Sequence, residues 1–398
     1  MHFFQYREGE LHCEDVPVRD IAASVGTPFY LYSFKTLQRH FRAFDGAFAA
    51  VPHVTCFSVK ANSNIAILRL FASEGGGADI VSGGELFRAL RAGVPSSRIV
   101  FAGVGKTRRE IAQALEAGIL IFNVESSQEL HAIDEVARAH GVKARVALRV
   151  NPDVNPETDP YIATGLRGTK FGIEIARAMA EFQGARRLDN IELVGVHKHI
   201  GSQITHVAPF VESLEKVVSL ISELRGDGFD IKYLDVGGGL GITYRDESPP
   251  HPKEFAAALL PLLKESGCTI LLEPGRVIVG NAGILVTRVL YTKLGGVKNH
   301  IVVDAAMNDL IRPSLYRGVY HAIQPVKADE SREEVVADVV GPICESGDFL
   351  ATDRPMARVE LGQLLAVMSV GAYGFSMSSN YNSRPRVAEV LVRDDEFY

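Results

Sequence analysis

The feature that most constrains the fold of this chain is a regular alternation of short apolar segments and helix-like segments between residues 54 and 275. The apolar segments are rich in Val and Ile and predict eight strands, at residues 54–61, 78–82, 99–103, 120–126, 144–152, 193–201, 233–239 and 269–275. Strands that are apolar along their length and alternate with helices belong to parallel sheets covered on both faces. About eight such units in roughly 220 residues predict an α/β fold, a TIM-type (β/α)8 barrel. An open doubly wound sheet of six or seven strands is the alternative.

After residue 276 the long helices disappear and β-rich segments separated by turns follow, at residues 277–294, 300–306, 333–342, 358–370 and 385–392. Near the start of the chain, residues 3–11 and 27–34 also have the composition of strands. We therefore predict a barrel over residues 27–276. A second, all-β domain is predicted from residues 1–26 and 277–398, so it is discontinuous in sequence.

Composition and charge exclude several classes of protein. The 398 residues carry a net charge of −6, which gives no basic surface for nucleic acid or an anionic membrane. No apolar run reaches the ~18 residues that a membrane-spanning helix needs, and residues 1–15 lack the apolar core of a signal peptide. The four cysteines are scattered without CxxC spacing, which predicts reduced thiols in a cytoplasmic protein.

Chemically capable residues stand at the predicted C-terminal ends of the barrel strands, where barrels carry their active sites. Lys60 ends the first strand and offers an amine, and Gly237–Gly239 would let backbone N–H groups approach a phosphate. Glu273 offers a carboxylate for a pyridine nitrogen, and His199 offers a flat ring to stack on the pyridine face. Together they are the groups needed to hold pyridoxal 5'-phosphate (PLP).

A metal-dependent hydrolase is the alternative for this set. His197 and His199 lie on the same face of a strand, and with Lys60 they could surround a metal ion. Such a site needs a further aspartate or histidine at a late strand end, whereas the eighth strand offers Glu273 followed by Pro-Gly-Arg. We therefore predict no metal. Taken singly, each motif also has an ordinary structural explanation, such as a surface lysine or a glycine turn.

The motifs resemble the fold-type III PLP-dependent decarboxylases, the alanine-racemase-like barrel group, and within it the diaminopimelate decarboxylase family. The matching segments are FSVKAN (57–62), ADIVSGGEL (78–86), GTKFGI (168–173), HKHIGSQ (197–203), DVGGGLG (235–241), EPGR (273–276), CESGD (344–348) and GAYGFSMSSNYNSRPR (371–386). The resemblance runs from GELHCEDV at residues 9–16 to residue 386, which is nearly the whole chain. The combination of CESGD, EPGR and GAYG is specific, whereas each of them alone is not.

The resemblance implies roles for individual residues. Lys60 forms the internal aldimine, His199 stacks on the ring and Glu273 pairs with the pyridine nitrogen. The implied cofactor-binding residues are Lys60, Asp79, His199, Ser202, Gly238, Gly239, Glu273, Gly275, Arg276 and Tyr373. The implied substrate-binding residues are Arg276, Arg312, Tyr316, Glu345 and Tyr373. Cys344 is the implied proton donor and acts in the active site of the partner subunit, so the resemblance implies a homodimer with shared active sites.

The resemblance also implies the activity, which is decarboxylation of meso-2,6-diaminopimelate to L-lysine and CO2, the last step of lysine biosynthesis. A decarboxylase of another basic amino acid, ornithine or arginine, is the nearest alternative, and Arg312 with Glu345 argues for a substrate that carries an amino acid at its far end. A racemase on the same fold would not need CESGD. A PLP-binding regulator would lack Lys60 or Cys344. The long segment 151–173 is predicted to be a lid.

Overall fold

The computed structural model describes residues 2–165, 168–295, 297–329 and 331–398. The chain forms two compact units. The barrel unit comprises Phe41–Gly241 and Ser248–Gly275, and the β unit comprises Met1–His40, Ile242–Glu247 and Arg276–Tyr398.

The barrel unit is a closed parallel barrel, which confirms the predicted fold class. Its eight strands are, in chain order, His53–Ser58, Gly77–Ile80, Ile99–Phe101, Ile121–Val124, Ala144–Asn151, Ile191–His197, Tyr233–Asp235 and Thr269–Leu272. Each strand pairs in parallel with the next, and the eighth pairs with the first, so the sheet has no free edge. The short strand Ile173–Glu174 extends the fifth strand on one side. Each of the eight predicted segments overlaps one of these strands.

Helices follow the first seven strands, as the alternation predicts. They span Ile65–Ser73, Gly83–Ala92, Arg108–Ala117, Ser127–His140, Ala178–Ala185, Ala208–Gly226 and Pro252–Ser266. Sequence signals fix several of their ends: Thr107 and Glu110 form a capping box, and Gly93, Gly118 and Gly141 end their helices in the left-handed conformation. The helix boundaries therefore follow from local chemistry.

The interior of the barrel is filled by apolar side chains at the level of the strands. A buried cluster joins residues from several strands: Cys56, Val100, Leu120, Ile121, Ala147, Val194 and Leu271. This packing makes the barrel a solid core, and polar side chains are confined to the strand ends. In the register, Ser58 lies beside Asp79 and His197 lies beside Asp235, so the ends of neighbouring strands lie close together.

The β unit has a main sheet with one long central strand, Gly283–Lys293, that pairs with three others. Its strands follow the order Phe349–Ala357, Glu334–Val340, His300–Val303, Gly283–Lys293, Phe29–Ser33, Ala388–Arg393 and Glu396–Phe397. Leu364–Val367 pairs with the long strand and with Ile323–Pro325. A smaller sheet contains Phe4–Arg7, Glu10–Cys13 and Val16–Pro17 and is followed by the helix Val18–Val25.

The β unit differs from the sequence expectation in several places, which include residues 242–247, predicted to belong to the barrel, and the strand Ile323–Pro325. Residues 27–40, which fall within the predicted barrel range of 27–276, belong to the β unit, because Phe29–Ser33 pairs with Gly283–Lys293 and Ala388–Arg393. The segment Arg276–Val279 is a short helix and not the start of a strand. The strand Phe349–Ala357 was not predicted, because its TDR sequence is polar and exposed.

In the part of the chain that the structure describes, no helix has the length and apolar character needed to cross a membrane.

Candidate active site

Lys60 lies just after the first barrel strand, in a 3-10 turn at Val59–Ala61. The strand therefore ends at Ser58, whereas the predicted segment runs to residue 61. Lys60 Nζ lies 2.6 Å from Asp79 Oδ2, and Asp79 is fully buried at the end of the second strand. Desolvation and the charge of Glu273 raise the pKa of Asp79, while Lys60 opposes that shift. The pair therefore holds the lysine amine at one point on the barrel mouth.

Glu273 is buried directly after the eighth strand, on the other side of the first strand from Asp79. One carboxylate oxygen lies 3.5 Å from His197 Nε2, and the other accepts a hydrogen bond of 3.2 Å from Asn123 Nδ2. Desolvation works to raise the pKa of Glu273, but His197 and Lys60 outweigh it and the net shift is downward. Glu273 is therefore an anion at neutral pH, despite being buried.

The glycine run forms a cradle that only glycine fits. Gly237 and Gly239 have φ angles of +66° and +113°. A Cβ on Gly238 would lie 2.0 Å from the carbonyl oxygen of Glu273, and one on Gly239 would lie 2.4 Å from that of Gly201. The glycine run is therefore close-packed against neighbouring backbone, and the phosphate site that the sequence predicts there stays a prediction.

His199 is held as a neutral ring. The Gly238 amide donates to its Nδ1 at 3.2 Å, which requires that nitrogen to be an acceptor and places the ring proton on Nε2. Desolvation and the charge of Arg149 lower the pKa of His199 well below its ordinary value. The hydrogen bond fixes the ring beside the glycine run, where an aromatic cofactor could stack on it.

The segment 151–173 packs over residues 199–203, apart from residues 166 and 167, which lie outside the described residues. Thr158 Oγ1 donates to the carbonyl of Ser202 at 2.8 Å, and the Gly165 amide donates to that of Ile200 at 3.0 Å. Ser202 is joined to the cradle through its neighbours, since the Ile204 amide donates to the carbonyl of Gly239. The predicted lid therefore lies next to the glycine run. Its role as a lid stays a prediction.

Gly275 is also close-packed within the barrel unit. A Cβ there would lie 3.1 Å from the Cβ atoms of Ser58 and Ala61, on either side of Lys60 in sequence. The barrel unit thus brings together seven of the predicted cofactor residues, which are Lys60, Asp79, His199, Ser202, Gly238, Gly239 and Glu273, with Gly275 beside the lysine turn.

In the β unit, two arginines surround one tyrosine that the sequence did not single out. Arg276 Nη1 donates to Tyr244 Oη at 2.6 Å, and the Arg312 guanidinium lies 4.8 Å from the centre of the Tyr244 ring. Arg276 also stacks on Tyr373 at 4.8 Å. Tyr373 has a φ of +57°, a conformation that non-glycine residues rarely adopt and that the close-packed turn around it maintains.

Arg312 is buried, and its hydrogen-bond partner is a neutral histidine. His321 Nδ1 faces the carbonyl of Met368 at 2.9 Å, so that nitrogen carries the proton and Nε2 accepts from Arg312 Nη1 at 2.8 Å. Burial lowers the pKa of His321 to about 3. Among the described residues, Arg312 has no ion pair with a carboxylate, which suits it to receive one. Tyr316 follows the helix Arg312–Leu315 and lines a cavity of about 620 Å³.

The CESGD segment is shaped by its aspartate. Asp348 accepts hydrogen bonds of 2.7 Å from the amides of Met307 and Ile343, and these close the loop. Cys344 is exposed, and Glu345 accepts a hydrogen bond of 2.7 Å from Tyr381. The loop thus carries an exposed thiol next in sequence to a carboxylate on the β unit.

Several residues around these groups were missed from the sequence. They are Asn123, Asp235, Tyr244, His321 and Arg149, which forms a buried ion pair of 2.8 Å with Glu125. Arg149 interrupts an otherwise apolar strand, and this was the one signal in the sequence that could have identified it. The metal alternative grouped His197 with His199 and Lys60. The structure instead places ligand atoms of His197, Asp235 and Glu273 within 4.8 Å of one another, while His199 faces Gly238.

Comparisons with known proteins agree with this geometry. A family model described as "Pyridoxal-dependent decarboxylase, pyridoxal binding domain" matches residues 34–280, which places the chain in the class of pyridoxal-dependent decarboxylases. Diaminopimelate decarboxylase of Aquifex aeolicus is 54% identical over 98% of this chain and 93% of its own length. That of Pseudomonas aeruginosa is 51% identical over 100% of this chain and 95% of its own. The chain belongs to the diaminopimelate decarboxylase family.

A solved structure supports the same assignment. The chain resembles the crystal structure of diaminopimelate decarboxylase from Helicobacter pylori complexed with L-lysine, with a TM-score of 0.92 and 42% identity. The match covers 96% of this chain and 95% of that one. The predicted family and fold are therefore confirmed.

Proposed function

We propose that this chain binds PLP through Lys60 and decarboxylates meso-2,6-diaminopimelate to L-lysine and CO2, as the last step of lysine biosynthesis. One observation carries the proposal: an amine and two buried carboxylates lie at the ends of three neighbouring barrel strands. Lys60 follows the first strand, Asp79 ends the second and Glu273 follows the eighth, with the lysine amine 2.6 Å from Asp79.

The residues fit PLP in charge and in shape. Asp79 Oδ1 is buried without a hydrogen-bond partner among the described residues. A hydrogen-bond acceptor is therefore available beside the lysine amine. The glycine run is the proposed phosphate site, and the Glu273 anion suits a protonated pyridine nitrogen. When bound, PLP withdraws the electron pair that decarboxylation leaves on the substrate α-carbon.

The protein groups then have separate tasks. Glu273 keeps its negative charge because His197 and Lys60 stabilise it. His199 is fixed by the Gly238 amide and limits movement at the ring face. Gly238 and Gly239 are proposed to lie beside the phosphate, because a side chain at either position would collide with neighbouring backbone. Because these groups are already fixed, less entropy is lost when the bond between the substrate α-carbon and its carboxylate is oriented for reaction.

Substrate recognition is assigned to the β unit. Arg312 is a buried cation that His321 orients through a neutral acceptor, so its remaining N–H groups can bind a carboxylate in a bidentate manner. Arg276, Tyr316 and Tyr373 complete the proposed set of substrate contacts. The Glu345 carboxylate would form an ion pair with the distal ammonium group of the substrate.

Cys344 Sγ is proposed to carry the proton that replaces the departing carboxylate. Because Cys344 and Glu345 are exposed on one chain, we assign them to the active site of the partner subunit in a homodimer. Cys13, Cys56 and Cys268 are buried and Cys344 is exposed, all as free thiols, which supports a reducing, cytoplasmic location.

The test measures the cofactor and the reaction separately. The purified full chain is mixed with PLP, its visible absorption is recorded, and CO2 release is followed with meso-diaminopimelate, L-ornithine and L-arginine in separate reactions. We expect a visible band that borohydride bleaches, and CO2 only from diaminopimelate. The Lys60→Ala variant should lack the band. Absence of the band in the wild type would overturn the cofactor, and CO2 from another amino acid would overturn the substrate.

A decarboxylase of ornithine or arginine is the second candidate function. Neither substrate has a distal carboxylate, so each would leave the buried Arg312 cation without an anionic partner. The three-substrate assay decides between the two.

A further inference from the structure

Two buried polar residues at the barrel mouth have no part in the function proposed above. Asp235 ends the seventh strand and Asn123 lies in the fourth, and both are completely buried. His197 ends the sixth strand and is also buried. Buried polar side chains are unfavourable unless they are paired, so a cluster of three in one barrel interior calls for an explanation.

Their contacts converge on Glu273. Asn123 Nδ2 lies 2.8 Å from Asp235 Oδ2 and 3.2 Å from Glu273 Oε1, so one amide group joins two carboxyl groups. His197 Nε2 lies 3.5 Å from the second oxygen of Glu273. Asp235 Oδ1 accepts from the Gly237 amide at 2.9 Å, which ties this group to the phosphate cradle.

Two carboxyl groups that share one amide in a dry interior cannot both ionise without strong repulsion. Desolvation and the charge of Glu273 raise the pKa of Asp235 well above its ordinary value. Desolvation also acts on Glu273, but His197 and Lys60 outweigh it and lower the pKa of that carboxyl group. Asp235 is therefore the neutral acid of the pair and Glu273 is the anion. The anion lies on the side of Lys60.

We propose that Asn123, His197 and Asp235 are positioning residues that hold the Glu273 carboxylate in place as an anion, with Asp235 present as the neutral acid. This inference rests on the proposed function, because it assigns the anion to the pyridine nitrogen of PLP. It adds to that function a reason why the glutamate stays ionised although it is buried.

Other titratable groups face this pair and contribute to its charge balance. They are Cys56, Lys60, Asp79, Glu125, Lys198 and His199. Asp235→Asn leaves these groups unchanged and tests the assigned protonation state, with the new amide oxygen able to accept the hydrogen bond from Gly237. It keeps the shape of the side chain and the neutral charge that we assign to it.

The experiment measures binding of PLP to the apoprotein and the pH dependence of the visible absorption of the bound cofactor. For Asp235→Asn we expect a Kd for PLP within about threefold of the wild type and an unchanged spectral midpoint, since a neutral group replaces a neutral group. For His197→Gln we expect a Kd raised about tenfold or more and a spectral midpoint moved by about one pH unit. Asp230→Asn, which changes an exposed aspartate, is the matched control.

Each outcome decides the inference. A spectral midpoint of Asp235→Asn that moves by a pH unit would show that Asp235 is ionised and overturn the assignment. An unchanged His197→Gln would remove His197 from the network. Failure of the proposed function is separate: a wild type that binds PLP but releases no CO2 from diaminopimelate overturns the function and leaves the network intact. A wild type that binds no PLP overturns both.

Discussion

The amine of Lys60 and the carboxylate of Asp79 meet at 2.6 Å across two neighbouring barrel strands, and Ser58 donates to the same carboxylate oxygen at 2.9 Å. Ser58 and Asp79 lie opposite each other in the strand register. The lysine is therefore positioned by the sheet itself, through a buried carboxylate, before any cofactor binds.

Replacing Asp79 by Ala should slow attachment of PLP. Without the carboxylate, the Lys60 amine loses its fixed position, and misplacement of a reacting group lowers rates strongly. We expect the visible band to form about tenfold to a hundredfold more slowly after apoprotein is mixed with PLP in a stopped-flow instrument. Ser58→Ala, which removes one of the bonds to Asp79, should give an intermediate rate. Equal rates in all three proteins would contradict this role.

Gly238→Ala should damage both the fold and PLP binding. The added methyl group would lie 2.0 Å from the Glu273 carbonyl oxygen, which belongs to the backbone and cannot move aside easily. We expect a loss of about 1–3 kcal/mol in the free energy of unfolding, measured by urea denaturation, and a weaker Kd for PLP. Gly46→Ala is the control. It lies in the helix Phe34–Ala47 with open space around it, and alanine there should be neutral or stabilising by about 0.5–1 kcal/mol.

Arg312→Met should weaken substrate binding and leave the cofactor spectrum unchanged. Loss of a charged, bidentate hydrogen bond is worth about 1.5–3 kcal/mol, which corresponds to a KM for diaminopimelate about tenfold to a hundredfold higher. Arg312→Lys retains the charge and should lie between the two. Steady-state kinetics separate the effects: a fall in kcat with an unchanged KM would argue against a role in binding the distal carboxylate.

Two inactive variants should restore activity when their subunits are mixed, if the active site is shared in a homodimer. Lys60→Ala and Cys344→Ala each lose activity, the second by about 10²–10⁴-fold because a proton donor is removed. Random exchange makes half of the dimers mixed, with one intact site of two, so activity should recover to about a quarter of the wild type. Each variant alone is the control. No recovery after verified exchange would place Cys344 and Lys60 in the same subunit's site.

Lys198→Met should make the protein more stable, most clearly at neutral pH. Lys198 is buried under the helix Ala208–Gly226, with Nζ 2.9 Å from Ser213 Oγ, and desolvation lowers its pKa from 10.5 to about 7. Between these pH values the unfolded state binds the extra proton, so the free energy of unfolding should rise with pH by up to about 1.4 kcal/mol per unit.

Methionine at position 198 should remove that rise. Urea denaturation at pH 7 and pH 9 measures it as a difference between the two proteins, and Ser213 keeps its bond to the carbonyl of Phe210 in the variant. Lys232→Met, at a half-exposed lysine, retains Lys198 and should show the same rise with pH as the wild type. If the free energy of unfolding of Lys198→Met still rises with pH, the rise is caused by other groups.

The barrel could be predicted from the sequence because its elements have local sequence signals. Apolar runs mark the strands, and N-terminal caps and C-terminal glycines mark the helix ends. Strand ends also identify Lys60 and Glu273, since a barrel collects such residues at one edge. The sequence could not identify Asn123 and Asp235 as partners of Glu273, because the choice depends on which side chains face each other inside the closed sheet, and Asn123 lies on a strand that is not adjacent to Glu273. The same limit hid His321, whose importance comes only from its contact with Arg312.

The strand Phe29–Ser33 lies between Gly283–Lys293 and Ala388–Arg393, so its two partners are encoded far downstream. On a ribosome that adds about 5–20 residues per second, this strand waits about 20–70 s for its last neighbour to be synthesised. During that time all residues of the barrel unit have emerged and can fold, while an apolar strand near the start of the chain has both edges open. Synthesis of this protein therefore leaves a long interval in which the N-terminal segment is exposed to wrong pairing, and chaperone binding to residues 27–40 of the nascent chain would shield it.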